Sequence, residues 1–327
     1  MAISRLILTA TLCAILSAGI TTAGITNGQD RPVFSAKSDL VVLHVTVKDK
    51  KGKYVTDLPE DAFAVSEDGH RQTIRFFAAE DSPVTVGLLI DSSSSMLPNR
   101  ERVIAAATAF AESSHPDDEL FALAFNETVQ AALPPDGPFT SSAVALRRAV
   151  TRVIHPRGRT ALFDAIAAGL EYVSHGRHER KVLVVVSDGG DNASRLTFED
   201  VLTKAEASNV FIYTMAVVDP LERDANPKLL RKIARATGGE AFAPANNAKI
   251  ASVLQRIARD IRHGYTIGYV SSNETRDGSF RKTRVTVQTR DRRALVVRTR
   301  EGYLADTLSP PAPEADPATA QGQAARD

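Results

Sequence analysis

The sequence contains no tryptophan, a single cysteine and only 6% aromatic residues among its 327 residues. A chain so poor in aromatic side chains lacks the stacking platform with which proteins bind single-stranded nucleic acid. Its formal net charge of +1 gives no general attraction to nucleic acid or to a charged membrane surface. We therefore expect no nucleic-acid partner, and no membrane contact outside the N-terminal segment.

The single cysteine, Cys13, lies inside an apolar run, Leu6–Ile20, that follows Arg5. Small residues continue to Ala23, a pattern typical of a secretory signal peptide of residues 1–23. The alternative is an uncleaved membrane anchor, although the run is short for a full span. Cleavage would leave neither a thiol nor a disulfide, which excludes cysteine catalysis and cysteine-based metal sites. We expect a secreted protein, or one of the periplasm or cell envelope.

Two β-rich segments flank the middle of the chain. In the first, residues 38–80, the alternation from Leu43 to Lys48 predicts a half-buried strand, and Asp68-Gly69 predicts a hairpin. Alternation returns in the second, residues 264–304. Neither segment has enough strands for a stable sandwich, so we expect the two to pair into one β-sandwich-like module. Residues 305–327 are rich in Pro, Ala and Asp without periodicity, which predicts a disordered tail.

The central region, residues 83–262, alternates apolar strands with amphipathic helices. The run from Val182 to Val186 is typical of a strand buried in a parallel sheet. The last helical pattern, from about Asn247 to Arg262, places its aliphatic residues on one face. This alternation predicts an α/β fold with a doubly wound, mostly parallel sheet.

Oxygen-bearing side chains follow three of the predicted strands or loops. Asp91, Ser93 and Ser95 alternate after a buried strand, Thr160 precedes a helix, and Asp188 directly follows another buried strand. Each has a plain structural explanation, as a serine-rich turn, a helix N-cap and a turn residue. Together they bring two carboxylates and three hydroxyls to the edge where such sheets place ligands. Hard oxygen ligands of this kind suit Mg²⁺.

The combination resembles the metal-ion-dependent adhesion site of von Willebrand factor type A domains. The matching segments, in the family's order, are Asp91-Ser-Ser-Ser-Ser95, Thr160 and Ser187-Asp188-Gly189. The segment Thr237-Gly-Gly-Glu-Ala-Phe242 is similar to the family's turn into its last sheet strand. The flanks resemble those of bacterial secreted relatives, through Leu58-x-x-x-Asp-Ala-Phe63 and Tyr265-Thr-Ile-Gly-Tyr269.

The resemblance implies that Ser93, Ser95 and Thr160 offer hydroxyl oxygens to Mg²⁺, with Mn²⁺ or Ca²⁺ as alternatives. Asp91 and Asp188 would act directly or through water. Neutral hydroxyls leave the ion incompletely neutralised, with a position for a carboxylate of a partner protein. Members of the family use this arrangement for adhesion or assembly, so the expected protein is a binding module and not an enzyme.

Two other functions stay open at this point. A Mg²⁺-dependent hydrolase of phosphorylated substrates could use a similar sheet, and an envelope structural protein could hold the metal only as a structural element. The sequence has no P-loop, no dinucleotide fingerprint and no G-x-S-x-G nucleophile motif. A hydrolase would also need an aspartate nucleophile or an activated water with a positioned base, and a set of ligands rich in hydroxyls argues against it.

Charged residues outside the five candidates have mainly structural interpretations. Asp191 is interpreted as a loop acid that caps backbone amides, with an outer position at the metal or a position facing the partner as the alternatives. Arg159 is either a surface arginine or a group that steers an acidic ligand. The arginines between Arg276 and Arg300 predict a solvent-exposed strand face rather than a polyanion-binding surface.

Overall fold

The computed structural model describes residues 40–79, 83–219, 224–244, 246–289 and 294–305. The predicted signal peptide and all but the first residue of the predicted tail lie outside these ranges, so both stay predictions. Within the described ranges, no helix combines the length and the apolarity needed to cross a membrane.

Four strands precede the central region. They are β1 (Leu40–Asp49), β2 (Phe63–Glu67), β3 (His70–Gln72) and β4 (Ile74–Ala79). Asp68 and Gly69 join β2 to β3 with φ angles of 48° and 87°. A two-residue hairpin turn of type I′ requires a positive φ at both central residues. Asp-Gly is a sequence that adopts these angles readily.

The central region forms one six-stranded sheet. Its strands are β5 (Thr85–Asp91), β6 (Glu119–Phe125), β7 (Val129–Ala131), β8 (Lys181–Ser187), β9 (Val210–Ala216) and β10 (Ala241–Phe242). Their order in space is β10-β9-β8-β5-β6-β7. Only the pairing of β6 with β7 is antiparallel. Every residue of β5 and β9 is buried, because helices cover both faces of the sheet.

In the residues that the structure describes, six α-helices accompany this sheet. They are α1 (Arg100–Glu112), α2 (Ala143–Val153), α3 (Leu162–Ser174), α4 (Phe198–Ala207), α5 (Pro227–Ala236) and α6 (Ile250–Arg262). They form two groups, α1 with α2 and α6, and α3 with α4 and α5. The side chains of Ser142, Thr197 and Asn226 cap α2, α4 and α5 by accepting hydrogen bonds from backbone N–H groups.

The last four strands complete a β module, defined here as residues 40–79 and 265–304 of the described chain. They are β11 (Tyr265–Val270), β12 (Phe280–Val287), β13 (Leu295–Arg298) and β14 (Gly302–Leu304). The module contains two sheets, ordered β13-β1-β11-β4 and β14-β12-β2-β3. Each sheet takes two strands from each flank, and Leu43, Phe63, Tyr265 and Val285 share one core. The predicted pairing of the flanks is confirmed.

Both faces of β1 are buried, which corrects the prediction of a half-buried strand. The polar residues His44 and Lys48 are only 8% and 6% exposed. Lys48 Nζ lies 3.0 Å from Glu240 Oε2 and 3.3 Å from Asp260 Oδ2. The His44 ring lies 5.3 Å from the Phe211 ring. The alternation of apolar and polar residues identifies the two faces of a strand. It does not show that the central region covers the polar face of β1.

The β module meets the central sheet at the amino ends of its strands. Phe211 is the second residue of β9, and Asn209 comes just before that strand. Asn209 Oδ1 accepts a hydrogen bond of 2.6 Å from Arg300 Nη1, and Glu240 immediately precedes β10. The carboxyl ends of the parallel strands therefore lie at the opposite side from the module.

Two of the C-terminal arginines are buried, so the solvent-exposed interpretation is wrong for them. Arg281 and Arg300 are 3% and 8% exposed. Arg281 Nη1 lies 3.4 Å from Oε1 of Glu67, which is itself 2% exposed. Arg284, three residues along the same strand, points outward and is exposed. The buried partner Glu67 comes from the other flank, more than two hundred residues away in the sequence, and no local pattern reveals it.

We expect His44→Gln to reduce the loss of stability in acid. Burial, together with the charges of Arg180 and Arg300, lowers the pKa of His44 from 6.5 to about 3. Between these two pH values the unfolded chain binds the additional proton, so stability falls as the pH falls through this window. At pH 5 the loss is about 2 kcal/mol. Urea unfolding at pH 7 and pH 5 measures it.

The exposed His70 offers a matched control for that experiment. His70→Gln should keep the acid sensitivity of the wild type. Identical pH dependence in His44→Gln and the wild type would contradict the assignment of the acid sensitivity to His44.

Candidate functional site

The five predicted ligand residues all lie at the carboxyl edge of the central sheet. Asp91 is the last residue of β5, and a short 3-10 helix, Ser94–Asn99, follows it, with Ser93 at its N-cap and Ser95 in its first turn. Asp188 directly follows β8, the strand beside β5. Thr160 comes two residues before α3. The fold thus brings together residues that are up to 97 positions apart, between Asp91 and Asp188.

The first loop folds back over its own carboxylate. Asp91 Oδ1 accepts a hydrogen bond of 2.9 Å from the backbone N–H of Ser93. The hydroxyls of Ser93 and Ser95 lie 3.1 Å apart. Asp91 Oδ2 accepts a hydrogen bond of 2.6 Å from the hydroxyl of Ser187, the last residue of β8. These bonds fix the orientation of the Asp91 carboxylate from two strands.

Direct hydrogen bonds join the three loops to one another. The Ser94 N–H donates to the Gly158 carbonyl oxygen at 3.1 Å, which links the first loop to the second. The Thr160 N–H donates to Asn192 Oδ1 at 2.9 Å, and the Asn192 N–H donates to the Thr160 carbonyl oxygen at 2.9 Å. The second loop is therefore held to the third by a reciprocal pair of hydrogen bonds.

The carboxylates of Asp91 and Asp188 are buried close together, at 1% and 5% exposure. Burial raises the pKa of Asp91 to about 6, hydrogen bonds from Ser187 and Ser93 oppose the rise, and the charge of Asp188 adds to it. In the described part of the chain, no lysine or arginine forms an ion pair with either carboxylate. Two buried acids without a cationic side chain are a site where a bound cation would be stabilising.

The oxygen atoms at this edge fit a hard divalent cation. Thr160 is buried at this edge, and its backbone is held on both sides by Asn192. The same residues contain no cluster of three or more His, Cys, Asp or Glu able to hold a metal. A cation here would depend on hydroxyls as well as on the two acids, a set of oxygen ligands suited to Mg²⁺.

Two charged neighbours have structural partners. Asp191 Oδ2 accepts a hydrogen bond of 3.0 Å from the backbone N–H of Phe163, in the first turn of α3. Arg159 Nε lies 3.0 Å from Glu127 Oε1 in an exposed ion pair. The interpretation of Asp191 as a loop acid that caps backbone amides agrees with this geometry.

Sequence reasoning gave no role to Ser187 or Asn192, although both organise the site. Ser187 orients Asp91, and Asn192 holds Thr160. For Ser187 the available signal was its position directly after the predicted buried strand and directly before the candidate ligand Asp188. Asn192 carried no comparable signal, because its partner Thr160 is 32 residues away.

Residues 86–256 match the model of the von Willebrand factor type A domain family. The match covers more than half of the chain. The chain belongs to the von Willebrand factor type A domain family. The matched residues include all five candidate ligands of the type A domain, at the edge described above. No curated protein matches this chain.

Several solved structures resemble this type A domain protein at low sequence identity. A von Willebrand factor type A structure from Catenulispora acidiphila is 13% identical, with a TM-score of 0.48, over 84% of this chain and 76% of that chain. The vWF domain of the type V pili tip protein Mfa5 from Porphyromonas gingivalis is 14% identical, with a TM-score of 0.46, over 55% and 95%. The protein BatB from Bacteroides thetaiotaomicron is 17% identical, with a TM-score of 0.42, over 54% and 98%. Family membership rests on the matched residues and not on these likenesses.

Proposed function

We propose that this type A domain protein binds a partner protein through a divalent cation. Asp91, Ser93, Ser95, Thr160 and Asp188 would hold the cation, and an acidic residue of the partner would complete its coordination. Mg²⁺ is the proposed ion, with Mn²⁺ and Ca²⁺ as alternatives of similar ligand preference. Bound there, the ion supplies a positive centre for a carboxylate of the partner.

The observation that carries this proposal is the pair of buried, unpaired carboxylates at an edge rich in hydroxyls. Asp91 and Asp188 have no cationic side chain beside them within the described ranges. A divalent cation would offset both charges. Because the remaining candidate ligands are neutral hydroxyls, the ion would keep affinity for one further carboxylate.

The same geometry favours binding over catalysis. A hydrolase on this edge would need an accessible carboxylate nucleophile or a base beside an activated water. Asp91 is 1% exposed, and each of its oxygens already accepts a hydrogen bond, from Ser93 and from Ser187. We therefore propose a binding protein, secreted or held in the periplasm or cell envelope, and not an enzyme.

A pull-down from envelope extract tests this function. The immobilised protein should retain a partner in Mg²⁺ and release it when the metal is chelated. The Asp91→Ala variant should not retain that partner. Asp117→Ala is the matched control, because Asp117 has a side chain that is 72% exposed and lies away from the site. It should behave as the wild type.

Two results would count against the function. Capture that persists in excess chelator would show that the cation is not the bridge. Mg²⁺-dependent hydrolysis of a phosphorylated test substrate, lost after Asp91→Ala, would replace the binding function with catalysis. Melting temperature measured alongside capture separates a third outcome, in which the metal stabilises the fold without affecting partner binding.

A further inference from the structure

A second polar cavity adjoins the candidate metal site. Its volume is about 140 Å³, and we call it the Ser92 pocket. Its polar lining comes from Ser92, Asn126, Thr128, Gln130, His155 and Arg157. Ser92 lies between Asp91 and Ser93 in the chain, so the pocket and the metal site share one loop. The proposed function uses none of these lining side chains.

Ser92 is held rigidly in this pocket. Its N–H donates to the Phe125 carbonyl oxygen at 2.6 Å, and its carbonyl oxygen accepts from the Arg157 N–H at 2.9 Å. The residue is 3% exposed, and its hydroxyl has no hydrogen-bond partner among the described residues. The hydroxyl itself is closed to solvent, so Ser92 forms a fixed part of the pocket wall and is not a group that a ligand can reach.

The other polar groups of the pocket are mainly donors. Asn126 Oδ1 accepts hydrogen bonds from the backbone N–H and the hydroxyl of Thr128, at 3.0 and 3.2 Å, which leaves the Asn126 NH₂ group free to donate. In the described part of the chain, the Arg157 and Gln130 side chains make no hydrogen bond. No aspartate or glutamate lines the pocket. This chemistry fits an anionic acceptor such as a carboxylate.

The size of the cavity also fits a side-chain carboxylate. At about 30 Å³ for each water-sized group, a volume of about 140 Å³ accommodates the few heavy atoms of an acidic side chain. Adjacent Cα atoms are about 3.8 Å apart, and side chains two residues apart in an extended peptide are separated by roughly 7 Å on one face. Because Ser92 lines the pocket and is bonded to both Asp91 and Ser93, the pattern acid-x-acid is the spacing that we expect in an extended partner segment.

We propose that the Ser92 pocket binds a second carboxylate of the partner segment whose first carboxylate reaches the cation. This inference rests on the proposed function. It specifies the partner surface as a diacidic, extended segment. Arg157 supplies the charge that selects an acid, and the Asn126 NH₂ group supplies a hydrogen bond.

Synthetic heptapeptides test this inference on the purified protein in saturating Mg²⁺. The diacid peptide has the order Gly-Gly-Asp-Ala-Asp-Gly-Gly, and the monoacid peptide has Asn in place of the second Asp. A hydrogen bond to a charged group contributes about 1.5–3 kcal/mol, so the diacid should bind at least about tenfold more tightly. Calorimetric titration measures both affinities, and chelation of Mg²⁺ should abolish both.

Variants of the lining residues locate the effect. Arg157→Ala and Asn126→Asp should each lower the affinity for the diacid peptide toward that for the monoacid peptide, since aspartate keeps the acceptor for Thr128 but removes the donor. Arg157 is exposed and its backbone hydrogen bond survives the change, so this variant does not depend on refolding of the loop. Arg148→Ala, on the exposed face of α2, is the matched loss of charge and should leave both affinities unchanged.

The outcomes separate the two proposals. Equal, Mg²⁺-dependent affinity for the two peptides overturns the Ser92 pocket as a carboxylate site and leaves the metal-bridged function standing. The same conclusion follows if Arg157→Ala and Arg148→Ala weaken the diacid equally. If both peptides bind equally well with and without chelator, the metal-bridged function is overturned. No binding of either peptide overturns both.

Discussion

Asp91→Asn is expected to abolish the stabilisation of this protein by Mg²⁺. The wild type should gain about 2.7 kcal/mol at an Mg²⁺ concentration of 100 times the Kd, because the ion binds the folded state only. For a domain of this size the gain raises Tm by roughly 5–10 °C. Asparagine keeps the size of the side chain and an acceptor for the Ser93 N–H, but it removes the charge at the centre of the site. Thermal melts across a Mg²⁺ titration measure the effect.

Without metal, the wild type should be no more stable than the Asp91→Asn variant. The pKa of Asp91 is raised from 3.8 to about 6 by burial, so its contribution to stability is fully present below pH 3.8 and is lost as the pH rises through about 6. At pH 7 the wild type therefore carries a buried, uncompensated charge that the asparagine variant lacks. We expect metal-free Asp91→Asn to melt at or above the temperature of the metal-free wild type.

The exposed Asp117 provides the control for general charge effects. Asp117→Asn should keep the full Mg²⁺ response. An Asp91→Asn protein that is still stabilised by Mg²⁺ would overturn the metal site, and so would a wild type that does not respond to Mg²⁺, Mn²⁺ or Ca²⁺.

Arg281→Ala is expected to cost about 3–5 kcal/mol of stability, because it leaves the carboxylate of Glu67 buried without its cation. Glu67 also accepts hydrogen bonds of 2.8 Å from the hydroxyls of Tyr269 and Tyr303. These bonds hold the carboxylate in the interior of the β module but do not neutralise it. Urea unfolding measures the loss.

The exposed Arg284 on the same strand is the matched control. Arg284→Ala should change stability by less than about 0.5 kcal/mol. The double variant Glu67→Gln with Arg281→Ala should recover part of the loss, since glutamine keeps an acceptor for the tyrosines without a charge. Equal unfolding midpoints for Arg281→Ala and Arg284→Ala would show that the buried pair contributes nothing.

The central α/β fold was predictable from the sequence because its signals are local. A strand such as Val182–Val186 is apolar on both faces because helices cover both faces of the sheet. Asn226-Pro227 indicates a helix start, because asparagine caps the first backbone N–H groups and proline fits the first helical position. The interiors of the flanks were less predictable. Lys48 and Arg281 look like surface residues, and each is buried by a partner from another part of the chain.

The position of the candidate site was also predictable, because the carboxyl ends of parallel strands must share an edge. That rule brought Asp91, Thr160 and Asp188 together without any measured distance. It could not predict the hydrogen bond from Ser187 to Asp91 or the unpartnered hydroxyl of Ser92. Those features depend on side-chain directions at the ends of strands, where alternation no longer sets them. Metal binding at this edge stays a prediction.

The candidate metal site and the β module lie at opposite ends of the central strands, and this has a mechanical consequence. A force applied through a bound partner would act along β5, β8 and β9. It would load the hydrogen bonds between these parallel neighbours in shear, all at the same time. On the module side, the tension would reach both flanks of the chain. Because each flank contributes strands to both sheets, neither can be peeled off alone. We therefore expect the folded chain to resist unfolding when force is applied between the candidate metal site and the β module.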